Sequence, residues 1–114
     1  MVANGAGGTY STAGDMLRFA AALRAGTLIP FAEFEALCAP RNEREPGAYY
    51  GLGCVTRGEG PARGIGHGGG ALGMQTWFLI FPESDLDLVV MSNQHLQAEP
   101  IVQTVTESLQ QPSR

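Results

Sequence analysis

Lysine is absent from this chain of 114 residues, because all seven of its Lys and Arg residues are arginines. The 11 acidic residues give a formal net charge of −4, which leaves no basic surface of the kind that binds nucleic acid. Histidine and cysteine number two each, and their positions follow no metal-ligand spacing. The sequence therefore predicts no nucleic-acid partner, no metal site and no cofactor.

Long apolar runs are absent as well. No run approaches the roughly 20 residues of a membrane-spanning helix, and the first residues have neither the basic nor the apolar region of a signal peptide. The sequence thus predicts no membrane partner and leaves the localisation open. The composition, with 44% hydrophobic and 16% charged residues, is typical of a globular protein. At this length we expect residues 1–114 to be a single domain or a fragment of one.

The two cysteines, Cys38 and Cys54, are too few for a disulfide framework. The sequence leaves a disulfide between them open. We expect them instead to be two small, half-buried hydrophobic side chains.

Three segments have the pattern of helices. Thr12–Asp15 has the form of a capping box, apolar residues then recur on one face, and Gly26 is placed to end the helix. Pro30 begins and Pro40 ends a shorter second helix. Pro100 begins the third helix, whose inward-facing residues are predicted to be Ile101, Val102, Val105 and Leu109.

Strands are predicted between the second and third helices. We expect residues 41–47 to be a solvated charged loop and Tyr49–Thr56 to be a strand weakened by two glycines. The next strand runs into Gly66–Gly73, and Leu72–Phe81 and Leu86–Ser92 form two more. Short turns between these segments favour antiparallel neighbours. The predicted fold class is α+β, with three to four antiparallel strands flanked by helices.

The segment from Gly66 to Gly73 is poor in packing groups, since five of its eight residues are glycine. Glycine loses extra backbone entropy on folding and is used where the backbone takes unusual dihedral angles or approaches another group closely. A single imidazole, that of His67, stands among these bare backbone amides, and the most apolar run of the chain, Trp77–Phe81, follows. We therefore expect a binding edge at this segment.

The order of these signals resembles the serine β-lactamase family. Gly7–Phe19 is similar to the family's GG-x-x-S-T-x-x-D helix, Tyr50–Gly53 to its Tyr-Gly-Leu-Gly strand, and Gly66–Gly73 to its third motif. That motif is Lys-Thr-Gly in β-lactamases and His-x-Gly in their esterase and peptidase relatives. Pro82-Glu83 and Ser92-Asn93 follow with the family's spacing. The histidine places the chain nearer the esterase and D-aminopeptidase relatives than the true class C β-lactamases.

The resemblance implies a two-part serine hydrolase fold and a role for each residue of the third motif. Two N-terminal and three C-terminal strands form the family's sheet, and a Ser-x-x-Lys serine attacks an ester, amide or lactam. By this likeness His67 faces the nucleophile, and the Gly70 N–H forms half of the oxyanion hole. Gly68 and Gly69 complete the triplet as substrate-binding residues.

Two family motifs are missing from the chain. Ser-x-x-Lys cannot occur without lysine, and none of Tyr10, Tyr49 and Tyr50 is followed two residues on by asparagine. Because an acyl-enzyme needs a nucleophile and its base, we expect the C-terminal part of a larger hydrolase, inactive alone. The strand over residues 86–92 would then be an exposed edge, which the missing N-terminal portion or self-association must cover.

Three alternatives use the same residues. A truncated, non-catalytic relative that binds a ligand or a partner would keep these motifs, and His67 would also fit the rim of an ordinary tight turn. The His-Gly-Gly-Gly run matches the oxyanion loop of lipase-like α/β-hydrolases too. That fold needs a Gly-x-Ser-x-Gly elbow, and Ser84, Ser92 and Ser108 have no flanking glycines.

Overall fold

The computed structural model describes residues 3–111, which form three helices packed on one antiparallel sheet of six strands. The strands follow one another in chain order from one edge of the sheet to the other. In chain order the elements are α1 (Ala13–Arg24), α2 (Phe31–Leu37), β1 (Asn42–Glu45), β2 (Ala48–Tyr50), β3 (Val55–Arg57), β4 (Gly64–Ala71), β5 (Met74–Phe81), β6 (Leu86–Ser92) and α3 (Ala98–Gln110). The α+β class is confirmed, and the predicted count of three to four strands is too low.

The two extra strands arise where the sequence predicted a loop and a single strand. Residues 41–47 contain β1, which turns back through Pro46-Gly47 to pair with β2. Gly47 has φ +79°, the conformation that the third position of a type II turn requires. The predicted strand Tyr49–Thr56 is divided into β2 and β3, because Gly53 with φ +97° reverses the chain.

The first helix begins and ends as the sequence predicts. The Thr12 side chain accepts a hydrogen bond from the Asp15 N–H at 3.1 Å, and Gly26 takes φ +71° just beyond the last turn. Arg24 extends from that last turn to the start of β6, where its Nε lies 2.7 Å from the Asp87 carboxylate. The same guanidinium donates to a backbone carbonyl of β6 at 2.8 Å. This contact fixes α1 to one edge of the sheet.

The sheet separates two apolar cores. On one face, α1 and α2 cover a cluster of Ala20, Leu23, Cys38, Cys54, Ile65 and Ile80. On the other face, α3 covers a cluster of Leu79, Phe81, Val90, Ala98 and Val102. The predicted inward residues of α3 are confirmed except Ile101, which is 48% exposed. No helix in residues 3–111 is both long and apolar enough to cross a membrane.

The third helix begins two residues earlier than predicted, at Ala98 rather than Pro100. The Gln75 side-chain oxygen accepts hydrogen bonds from the Ala98 and Glu99 N–H groups at 2.9 and 3.0 Å. A residue distant in sequence therefore satisfies the first free donors of this helix. The local sequence could not reveal this cap, because Gln75 belongs to β5.

The cysteines are joined in a disulfide between Cys38 and Cys54, so the expectation of two unpaired hydrophobic side chains is wrong. The bond connects the end of α2 to the turn before β3. Both residues remain part of the apolar core beneath the sheet. Neighbouring backbone contacts bring the two segments together, since the Leu52 N–H donates to the Leu37 carbonyl at 2.7 Å.

The last strand, β6, lies at one edge of the sheet. Within the described residues it pairs with β5 alone. Its exposed side chains include Leu86 and Met91, at 38% and 43% exposure. This edge therefore combines unpaired backbone groups with apolar side chains, which is a pairing liability in an isolated sheet.

Candidate active site

His67 lies in the middle of β4 with its imidazole exposed to solvent. Its Nδ1 is hydrogen-bonded to the Gly68 carbonyl oxygen, and its Nε2 lies 3.1 Å from the Tyr50 hydroxyl. A carbonyl oxygen can only accept, so this contact is a hydrogen bond when Nδ1 carries the ring hydrogen. In that tautomer of the neutral ring Nε2 is the acceptor, and the Tyr50 hydroxyl donates to it.

The glycines around His67 fall into two groups. A Cβ at Gly66 would overlap the Phe78 carbonyl oxygen, and one at Gly68 would lie 2.6 Å from the Trp77 ring. At Gly69 and Gly70 the nearest atoms would be 3.5 and 3.4 Å away, at or near ordinary contact. None of these four has a positive φ. Packing therefore explains why residues 66 and 68 are glycines. Nothing in the described residues explains why residues 69 and 70 are glycines too.

The strand that carries His67 is paired on both sides only in its first part. It pairs with β3 over residues 64–66 and with β5 over residues 65–71. Residues 67–71 consequently have one edge that no strand of the described chain covers. Backbone donors and acceptors on that edge are available to a ligand or to another polypeptide.

The open edge of β4 borders a groove of about 310 Å³. Charged and aromatic residues surround it; Arg57 lies 5.0 Å over the Trp77 ring and forms an ion pair with Glu99 at 2.7 Å. His67 and all three glycines that follow it line the same groove. The four predicted site residues are thus brought together, which follows from their being consecutive in one strand.

A second groove, of about 470 Å³, also includes His67 and lies against α1 and β5. Apart from His67 it has no charged or titratable lining residue except Tyr10. Its apolar lining includes Met16, Phe19, Met74, Phe78 and Met91. His67, Gly68 and Gly69 line both grooves, so the imidazole lies where the polar groove meets the apolar one.

Tyr50 is the site residue that the sequence analysis missed. Its hydroxyl bonds to His67, and the Arg44 guanidinium lies 5.6 Å from its ring centroid. The only available signal was its place in the Tyr-Gly-Leu-Gly resemblance, which gave it no role. Among residues 3–111, no three His, Cys, Asp or Glu side chains gather in a way that could hold a metal ion.

Comparison with known proteins gives a consistent result. The family described as Beta-lactamase matches residues 1–105. Among solved structures, the penicillin binding protein from Bacillus halodurans is similar, with a TM-score of 0.70 and 27% sequence identity. The match covers 86% of this chain and 30% of that protein. No curated protein matches. With a family match over nearly its whole length, the chain belongs to the Beta-lactamase family of serine hydrolases.

Proposed function

We propose that this chain supplies the sheet half of an acylation site and forms the C-terminal part of a serine hydrolase domain. The observation that carries the proposal is the run from His67 to Gly70, exposed except for the half-buried Gly68, on the unpaired edge of β4. A side chain would fit at positions 69 and 70, although the sequence has glycine at both. Space left empty beside an imidazole is what a substrate lying against the strand would need.

Each residue of this run has a proposed role. His67 faces the nucleophile, and the Gly70 N–H is one donor of the oxyanion hole. Removing one such donor typically raises the barrier by about 3–4 kcal/mol, because it acts on charge that develops in the transition state. Gly68 and Gly69 let the substrate approach the backbone. The substrate is a small ester, amide or lactam.

The nucleophile belongs to polypeptide outside these 114 residues. The chain has no lysine, so it has no Ser-x-x-Lys, and it has no Tyr-x-Asn. Covalent catalysis by serine requires an adjacent base or a neighbour that lowers the pKa of the hydroxyl. The chain is therefore inactive alone, and its site is completed by the segment that carries the nucleophile.

The same segment, or a second copy of this chain, covers the β6 edge. An isolated edge with exposed apolar groups pairs readily with other strands. We expect self-association that increases with concentration, measured by analytical ultracentrifugation. Met91→Lys should reduce it, while Leu72→Lys, at a hairpin tip that is already 95% exposed, should not. A monomer with a cooperative melt at every concentration would contradict this proposal.

A chimera tests the catalytic proposal. Residues 5–105 replace the matching segment of the penicillin binding protein from Bacillus halodurans, and hydrolysis of a nitrophenyl ester and of nitrocefin is measured. We expect turnover by the chimera and none by the chain alone. His67→Ala should lower the rate about 100-fold or more, and His95→Ala, the only other histidine, should not. A folded chimera without turnover would favour the non-catalytic, ligand-binding alternative.

A further inference from the structure

Both ring nitrogens of His67 have a hydrogen-bond partner, and one of the two partners is a side chain, that of Tyr50. We propose that Tyr50 is a positioning residue for His67, which fixes the imidazole as the tautomer with hydrogen on Nδ1 and an unprotonated Nε2 that accepts from the Tyr50 hydroxyl. The catalytic consequence rests on the proposed function of His67. The contact between the two side chains can be tested without it.

The two ring nitrogens of His67 have different hydrogen-bonding roles. Nδ1 donates to the Gly68 carbonyl, and Nε2, at 3.1 Å, accepts from the Tyr50 hydroxyl. The rings meet edge to face, with centroids 5.7 Å apart and an interplanar angle of 88°. A solvated histidine favours hydrogen on Nε2, so the opposite tautomer at an exposed site needs a specific cause. The pair of hydrogen bonds supplies that cause.

Tyr50 can position His67 because it is itself anchored. Gly51 is buried against the end of α2, where a Cβ would overlap the Leu37 carbonyl oxygen. The Gly51 N–H donates to the Cys54 carbonyl at 2.8 Å, and the Leu52 N–H donates to Leu37 at 2.7 Å. The turn after Tyr50 is therefore tied to a helix by hydrogen bonds and by the disulfide.

Arg44 restrains the phenol ring of Tyr50. Its guanidinium carbon lies 5.6 Å from the ring centroid, within the range of a cation–π contact. No acidic side chain pairs with Arg44 in the part of the chain that the structure describes. The ring of Tyr50 thus contacts this cation as well as the imidazole of His67.

The arrangement changes what the third motif offers to the reaction. The lysine of β-lactamases has three donors and no acceptor. In this tautomer His67 instead has a hydrogen-bond acceptor at Nε2, which is directed at the Tyr50 hydroxyl. When the tautomer and ring orientation of His67 are already fixed, the imidazole has to reorganise less during the reaction. This is the general benefit of a positioning residue such as Tyr50.

The tautomer can be measured on the whole chain by long-range ¹H–¹⁵N correlation of the histidine rings. The pH is about 8, above the ordinary histidine pKa of about 6.5. We expect a protonated Nδ1 and an unprotonated Nε2 for His67, and the solution tautomer for the exposed His95. Tyr50→Phe should shift His67 toward the His95 pattern, while Tyr49→Phe, its half-buried neighbour, should not. A His67 with hydrogen on Nε2, or one that Tyr50→Phe leaves unchanged, would overturn the proposal.

A second experiment, on the kinetics of the chimera, distinguishes the positioning role of Tyr50 from the proposed function of the chain. In the chimera, Tyr50→Phe should lower kcat about two- to tenfold, the effect of one lost neutral hydrogen bond. KM should not change, and Tyr49→Phe should have no effect. If the tautomer is as expected but the chimera has no turnover, the proposed function fails and the positioning contact stands. If the chimera is active and Tyr50→Phe changes neither tautomer nor kcat, the positioning role is refuted.

Discussion

Replacing Gly68 with alanine places a methyl group 2.6 Å from Cε2 of the Trp77 ring, well inside van der Waals contact. Trp77 packs against the α3 core and carries Arg57 over its ring, so it cannot move without disturbing both. Overpacking of this kind typically costs about 1–3 kcal/mol of unfolding free energy. For a domain of this size that corresponds to a melting temperature lower by about 4 °C per kcal/mol.

The neighbouring glycines provide a matched series. A methyl group at Gly66 would overlap a backbone carbonyl oxygen, which cannot rotate away, so that variant should lose more stability than Gly68→Ala. Alanine at Gly69 or Gly70 meets nothing closer than 3.4 Å. These two variants should stay within about 0.5 kcal/mol of the parent, or gain slightly because the unfolded chain loses entropy.

Urea denaturation of the four alanine variants measures this order directly. We expect the free energy of unfolding to fall most for Gly66, less for Gly68, and by no more than about 0.5 kcal/mol for Gly69 and Gly70. In the chimera the last two variants should impair hydrolysis while leaving stability intact. The reasoning is refuted if Gly69→Ala or Gly70→Ala destabilises the chain as much as Gly68→Ala, because packing would then explain every glycine of β4.

Two further predictions concern stability. The bond between Cys38 and Cys54 closes a loop with a sequence separation of 16, so reduction should lower the free energy of unfolding by about 3 kcal/mol; an unchanged melt with and without dithiothreitol would argue against the bond. Arg24→Ala should cost about 1–3 kcal/mol, since it removes charged hydrogen bonds from a largely buried site. Arg18→Ala, whose ion pair is exposed, should change stability by less than about 0.5 kcal/mol, and equal losses from both would contradict the assignment.

The elements with a local signal could be predicted from the sequence. The cap at Thr12, the glycine at position 26 and the apolar spacing between them define α1. The strong hydrophobicity of 77–81 and 86–92 predicts β5 and β6, and short connections make them antiparallel. The third-motif resemblance also identified the strand on which His67 stands.

The elements that depend on distant contacts could not be predicted. The four residues of β1, three of them charged, have no apolar periodicity, because all four are exposed and only pairing with β2 makes them a strand. The Cys38–Cys54 bond depends on how α2 meets the turn before β3. The role of Tyr50 depends on a hydrogen bond to a residue 17 positions away. Such contacts follow from the tertiary structure, which a single sequence pattern does not encode.

Intact-mass analysis after incubation with an acylating ester tests most directly whether this chain is one half of an acylation site. The chain alone should keep its mass. The chimera should gain a single acyl group, located by peptide mapping on the serine of the grafted host segment, and His67→Ala should reduce its rate of formation. An acyl group on a residue of this chain, formed without the host segment, would contradict the account.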